Sequence, residues 1–149
     1  MKTMGRMIFF LIAALLVAGC GVTVRNVTPG TVVRNASGIY PIEAQVKRNS
    51  SAVLDKSLRT ELVIWDQTMP MTNVTPASEE GPTHWTCSIT APPERSEIYY
   101  YFRVHYQVGK PLVNVDNKQI EAPRGAPQKT YLLRITDRMI AGIDSPRGR

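Results

Sequence analysis

Chemistry-bearing residues are scarce in this chain. Its 149 residues include two cysteines and two histidines, and no tetrahedral zinc set of about four convergent ligands can be assembled from them. His84 and Cys87 are three apart, a spacing that puts them on opposite faces of a strand. There is no glycine-rich phosphate loop and no nucleophile-elbow motif. Ser50, Ser51 and Ser57 have no histidine near them in sequence, and Glu79 and Glu80 read as solvated loop charges. The 18 Lys and Arg residues form no block of five or six, which argues against a nucleic-acid footprint. Beyond Cys20 there is no amphipathic helix, and no repeat of about 20 to 50 residues is visible. These absences point away from an enzyme, a metalloprotein and a nucleic-acid binder, with no cofactor expected.

What is present suffices for one packed domain: hydrophobic residues make up 43% of the chain. Lys2 and Arg6 precede an unbroken apolar run, Met7 to Ala18, which Gly19, Cys20 and Gly21 interrupt. A permanent membrane helix needs roughly 20 apolar residues, and this run is shorter. Positive flank, short apolar core and small residues together read as a secretory signal. Without Lys2 and Arg6, the remainder carries a net charge of about +4.

The end of that run, "VAGC" (Val17, Ala18, Gly19, Cys20), resembles the lipobox of bacterial lipoproteins. The resemblance covers about the first 21 residues and implies that the Cys20 thiol receives a diacylglycerol and that cleavage precedes it. Gly21, where aspartate would signal retention at the inner membrane, implies sorting to the outer membrane by the same resemblance. Several acyl chains anchor firmly where one is marginal, since burial contributes about 0.8 kcal/mol per methylene. With Cys20 acylated, Cys87 has no disulfide partner, and it is expected to be a buried structural thiol.

The rest of the chain shows period-two runs separated by Pro, Gly, Asn and Ser, the pattern of an all-β sandwich. Strands are expected at Val22 to Gly30, which closes in a Pro-Gly turn, at Gly38 to Val46, and at Leu58 to Asp66. Met69 to Val74 offers a short edge strand, and Thr83 to Pro93 a further strand ended by two prolines. The strongest alternation runs from Glu97 to Val108, with Ile98, Tyr100, Phe102, Val104 and Tyr106 facing one way. Thr130 to Arg138 supplies the last strand, with Tyr131, Leu133 and Ile135 inward. Between these two, Gly109 to Gln128 is expected to be a hairpin extension or a protruding loop. Four Asn-x-Ser/Thr matches, at Asn26, Asn35, Asn49 and Asn73, mark turns.

About seven strands, and the run "YYYFRVHY" in particular, resemble an immunoglobulin-like or fibronectin type III-like sandwich. By that resemblance Tyr100 is the corner tyrosine whose hydroxyl caps the adjoining turn. The expected organisation is a lipoprotein signal peptide over 1–19, then a lipid-anchored tether and first strand over 20–30. The sandwich spans 22–138, followed by a C-terminal tail over 139–149. The outward row of Tyr99, Tyr101, Arg103 and His105, together with Trp65, is the candidate partner surface; the alternative is a cross-strand ladder covered by its neighbours. The expected role is non-enzymatic binding, adhesion or envelope assembly by a membrane-anchored protein. The partner would be an envelope protein, or a glycan if the module binds carbohydrate. A small hydrolase, or an inhibitor of one, is the remaining class.

Overall fold

The computed structural model describes residues 21–76, 81–110 and 114–137. The signal segment, Cys20, Glu79, Glu80 and the tail over 139–149 lie outside the described residues. Two sheets face each other, and no α-helix occurs among the described residues. The first sheet has four strands: β1 (Val22–Asn26), β3 (Ile39–Arg48), β6 (Thr72–Asn73) and β7 (Thr83–Thr90), in the order β1-β3-β7-β6. The second follows the order β2-β10-β8-β4-β5, built from β2 (Thr31–Val33), β4 (Arg59–Ile64), β5 (Gln67–Pro70), β8 (Glu97–Lys110) and β10 (Tyr131–Thr136). A sixth strand, β9 (Asn114–Ala122), pairs with β8 off that path. The chain is therefore an all-β sandwich, as its alternation predicts.

Strand number and direction depart from the simplest form of that expectation. Ten strands form among the described residues: β2 and β9 are added to the seven expected, and the strand from Met69 to Val74 becomes two, while β2, β5 and β6, of two to four residues each, are too short to show a period. One pairing is parallel: β2 lies beside β10, with Thr31 opposite Arg134 and Val33 opposite Thr136. The expected strand from Met69 to Val74 is split between the two sheets. Its first part ends β5, Met71 is buried between the sheets, and Thr72–Asn73 joins the other sheet as β6. Gly109 to Gln128 resolves to the hairpin alternative, since β9 returns along β8 from Lys110↔Asn114 to Phe102↔Ala122.

The core follows from alternation on the two facing surfaces. Tyr40, Ile42, Ala44 and Val46 project from β3, with Trp85 and Ile89 from β7 beside them. Opposite stand Leu62 and Ile64 from β4, Ile98 to Val104 at every second position of β8, and Leu133 and Ile135 from β10. Removing each large side chain from water contributes about 1.5–3 kcal/mol. Tyr100, Phe102 and Tyr131 form an aromatic triangle with ring centroids 5.6–5.7 Å apart. Pro41 fits because it lies at the third position of β3, beyond Ala44, the last residue of β3 in register with β1. Cys87 is half-buried against the core and unpaired, and burial raises its thiol pKa above the ordinary range.

Tyr100 is fully buried on β8, but its hydroxyl does not cap the turn that precedes the strand. It reaches the opposite sheet, accepting from Asn26 Nδ2 at 3.0 Å, while Asn26 Oδ1 accepts the Thr28 amide at 3.1 Å. A turn after β1 is thus fixed to the middle of the core. The capping geometry expected of Tyr100 occurs at Tyr40, whose hydroxyl accepts the backbone N–H of Asn35, five residues upstream, at 3.2 Å.

Burial holds the Tyr100 hydroxyl above the usual tyrosine pKa, opposed by its bonds to Thr28 and Asn26. The protonated form is favoured in the folded state, so its contribution is complete below about pH 10 and is lost as pH rises through the folded-state value. Urea unfolding of Tyr100→Phe should show a loss of about 1 kcal/mol at neutral pH and a weaker fall in stability above pH 10. An unchanged alkaline slope would show that the hydroxyl does not titrate with folding. Thr60 is buried and its hydroxyl has no hydrogen-bond partner among the described residues. Thr60→Val should therefore stabilise the fold by about 1 kcal/mol in the same assay.

Candidate surface site

The outward residues of β8 lie on the solvent side of the larger sheet, and their neighbours follow from register. Arg103 stands between Glu61 on β4 and Glu121 on β9. Its guanidinium lies 3.3 Å from Glu121 Oε1 and 3.9 Å from Glu61 Oε2, and it donates to the Tyr101 hydroxyl at 3.1 Å. His105 Nε2 is 3.1 Å from the same Glu61 oxygen. Arg103 and Glu121 are each 26% exposed at the side chain. Val63, although on this outer face, is buried in register between Tyr101 and Thr68.

Two of the five predicted residues stand apart from that network. Tyr99 is 51% exposed, and its hydroxyl donates to Glu97 at 2.9 Å. Trp65 is 42% exposed and lies outside β4, at the first position of a two-residue turn into β5. Trp65 and Asp66 have φ of 47° and 64°, the left-handed pair that a tight hairpin needs and that Asn-Gly usually supplies. An indole there is a poor local choice. The Arg95 guanidinium lies 4.8 Å from its ring centroid, a cation–π contact that offsets part of the strain.

Trp65 and Tyr99 share one end of the sandwich. Ile64 pairs with Tyr100, so Trp65 leaves β4 one position from Tyr99. Arg34 holds this end together, bonding Asp137 at 2.8 Å and the Arg95 carbonyl at 3.4 Å. Beside it lies a depression of about 420 Å³ lined by Arg34, Asn35, Gly38, Tyr40, Ala91 and Pro92, among others. Sequence reasoning missed Arg34, Arg95 and this depression because loops at 34–38 and 91–96 carry no period. The Asn35 turn motif and the Pro92-Pro93 pair were their visible signals.

The structure thus separates the predicted row into two parts. Tyr101, Arg103 and His105 form the cross-strand ladder, satisfied largely by Glu61 and Glu121. Tyr99 and Trp65 present aromatic surface to solvent. Ser57 does not join His105 as a nucleophile pair: its hydroxyl donates to the Leu54 carbonyl and accepts the Gln107 amide. Among the described residues, no three His, Cys, Asp or Glu side chains cluster to hold a metal ion.

No protein-family model matches the chain, and no curated protein matches it.

A double-mutant cycle on Arg103→Met and Glu121→Gln should give a coupling of about 0.5–1 kcal/mol, reduced by salt. Additive effects would mean that the pair is screened by water. Trp65→Asn should leave thermal stability nearly unchanged, because asparagine suits the left-handed turn while the Arg95 contact is lost. A large drop in Tm would show that the indole is structural.

Proposed function

We propose that this protein is an exported, lipid-anchored bacterial envelope protein whose sandwich is a non-enzymatic binding or assembly module. The observation that carries the reading is "VAGC" behind a short apolar run with a positive flank, followed at Val22 by the first strand. One residue, Gly21, separates the anchor residue from β1, and the Gly21 carbonyl accepts the Asn49 amide at 3.0 Å. Acylation of Cys20 would hold the folded domain close to the membrane, and Gly21 in place of aspartate favours the outer membrane. We assign the sandwich to the immunoglobulin-like kind, because β1-β3-β7-β6 has the order of the A, B, E and D strands of that fold.

The partner surface is the Trp65–Tyr99 end. Strands β3 and β8 run between the Gly21 end and this one, so it faces away from the anchor. Exposed aromatics next to arginine suit a protein partner. The second reading, a carbohydrate-binding module, rests on the same two exposed rings, which could stack on sugar faces.

Cys20→Ser should abolish metabolic labelling by a palmitate analogue and release the domain or leave the precursor uncut; unchanged labelling and fractionation would overturn the anchor. Cys87→Ser should leave attachment intact. Trp65→Ala and Tyr99→Ala should each remove neighbours identified by envelope crosslinking and mass spectrometry. Glycan-array binding that both substitutions abolish would favour the carbohydrate reading instead.

A further inference from the structure

Strand β9 is the longest edge strand among the described residues. One edge pairs with β8 over nine positions, and no described strand lies along the other. The direction of its free backbone groups follows from the far side of β8. There the Gln107 carbonyl accepts the Leu54 amide at 2.9 Å, and the Gln107 amide donates to Ser57 Oγ. The Gly109 amide donates to the Ala52 carbonyl at 3.0 Å. Gln107 and Gly109 therefore turn their backbone groups away from β9. In an antiparallel ladder their opposite residues, Asn117 and Val115, must then turn theirs away from β8. By alternation Gln119 does the same, so the open edge offers the amides and carbonyls of residues 115, 117 and 119.

We propose that a second copy of this chain pairs with that edge, β9 against β9, antiparallel about a two-fold axis at Asn117. In this register Asn117 opposes Asn117 of the partner subunit, and Val115 opposes Gln119 of the partner subunit. All are hydrogen-bonded pairs that use the outward backbone groups. Asp116 then opposes Lys118 of the partner subunit, and Lys118 opposes Asp116 of the partner subunit. These are the non-hydrogen-bonded positions, where side chains stand closest and opposite charges attract best. Both groups are available: side-chain exposure is 77% for Asp116 and 52% for Lys118, with 3.8 Å between them within one chain. A two-fold axis at Asp116 or Lys118 would set like charges against each other, and one at Gln119 would oppose Lys118 to Ile120. A lysine in an edge strand ordinarily discourages pairing; here the sequence supplies the acid that meets it. The product is one sheet continuous across two sandwiches, and it is independent of how the chain is anchored.

The test is the association state of the purified full chain in detergent, by sedimentation across a concentration series. The parent chain should dimerise. Lys118→Asp should weaken the dimer about tenfold, since two attractive cross-strand pairs become repulsive. The charge-exchanged Asp116→Lys/Lys118→Asp chain should restore it, which also shows that the fold tolerates the changes. Asn117→Cys should give an oxidative crosslink above the parent background, while Thr68→Cys on the β5 edge should not. A parent monomer at all concentrations, a dimer indifferent to Lys118→Asp, or failure of the exchanged chain to recover would each overturn the proposal.

Discussion

Strand β8 is paired along both edges, and the rest of the sandwich depends on that constraint. Its 14 residues carry β10 and then β9 on one edge, with β4 and the residues around Val53 on the other. A strand so enclosed can present side chains only to its two faces, so a strict period of two becomes a division of labour. Ile98, Tyr100, Phe102, Val104 and Tyr106 fill the core. Tyr101, Arg103 and His105 build the outer polar ladder. Tyr100 also links the sheets through Asn26, fixing where the chain turns after its first strand.

The same length of strand explains the extension. Only the first four positions of β8 are paired with β10, and the backbone beyond Tyr101 would otherwise lack a partner on that edge. The β9 hairpin meets that need and moves the open edge outward by one strand. Chain composition suits the role: β9 is polar and largely exposed, with acid and base two positions apart. An edge with such a pattern can avoid indiscriminate pairing while still fitting its own copy.

The candidate binding end arises differently. Trp65, Arg95 and Arg34 belong to three separate loops, brought together by where β4, β7 and β2 end. Local preference and tertiary setting disagree at Trp65, where a bulky residue occupies a left-handed turn. Its exposed ring is stacked on a cation and placed beside Tyr99. That conflict singles out the turn as the part of the surface least explained by folding alone.

Sequence alone determined the sandwich and its inward-facing residues on β3, β8 and β10, because alternation encodes burial directly. It also supplied the export reading, which rests on short-range composition around Cys20 and which the described residues do not address. The hairpin was legible only as one of two alternatives for Gly109 to Gln128. Tertiary structure decided that Arg103 lies between two acids, that Tyr100 bonds across the core, and that Met71 crosses between sheets. It also decided that Trp65 sits in a turn instead of a strand. These outcomes depend on register and strand order among residues up to 74 positions apart, and no local pattern records such distances.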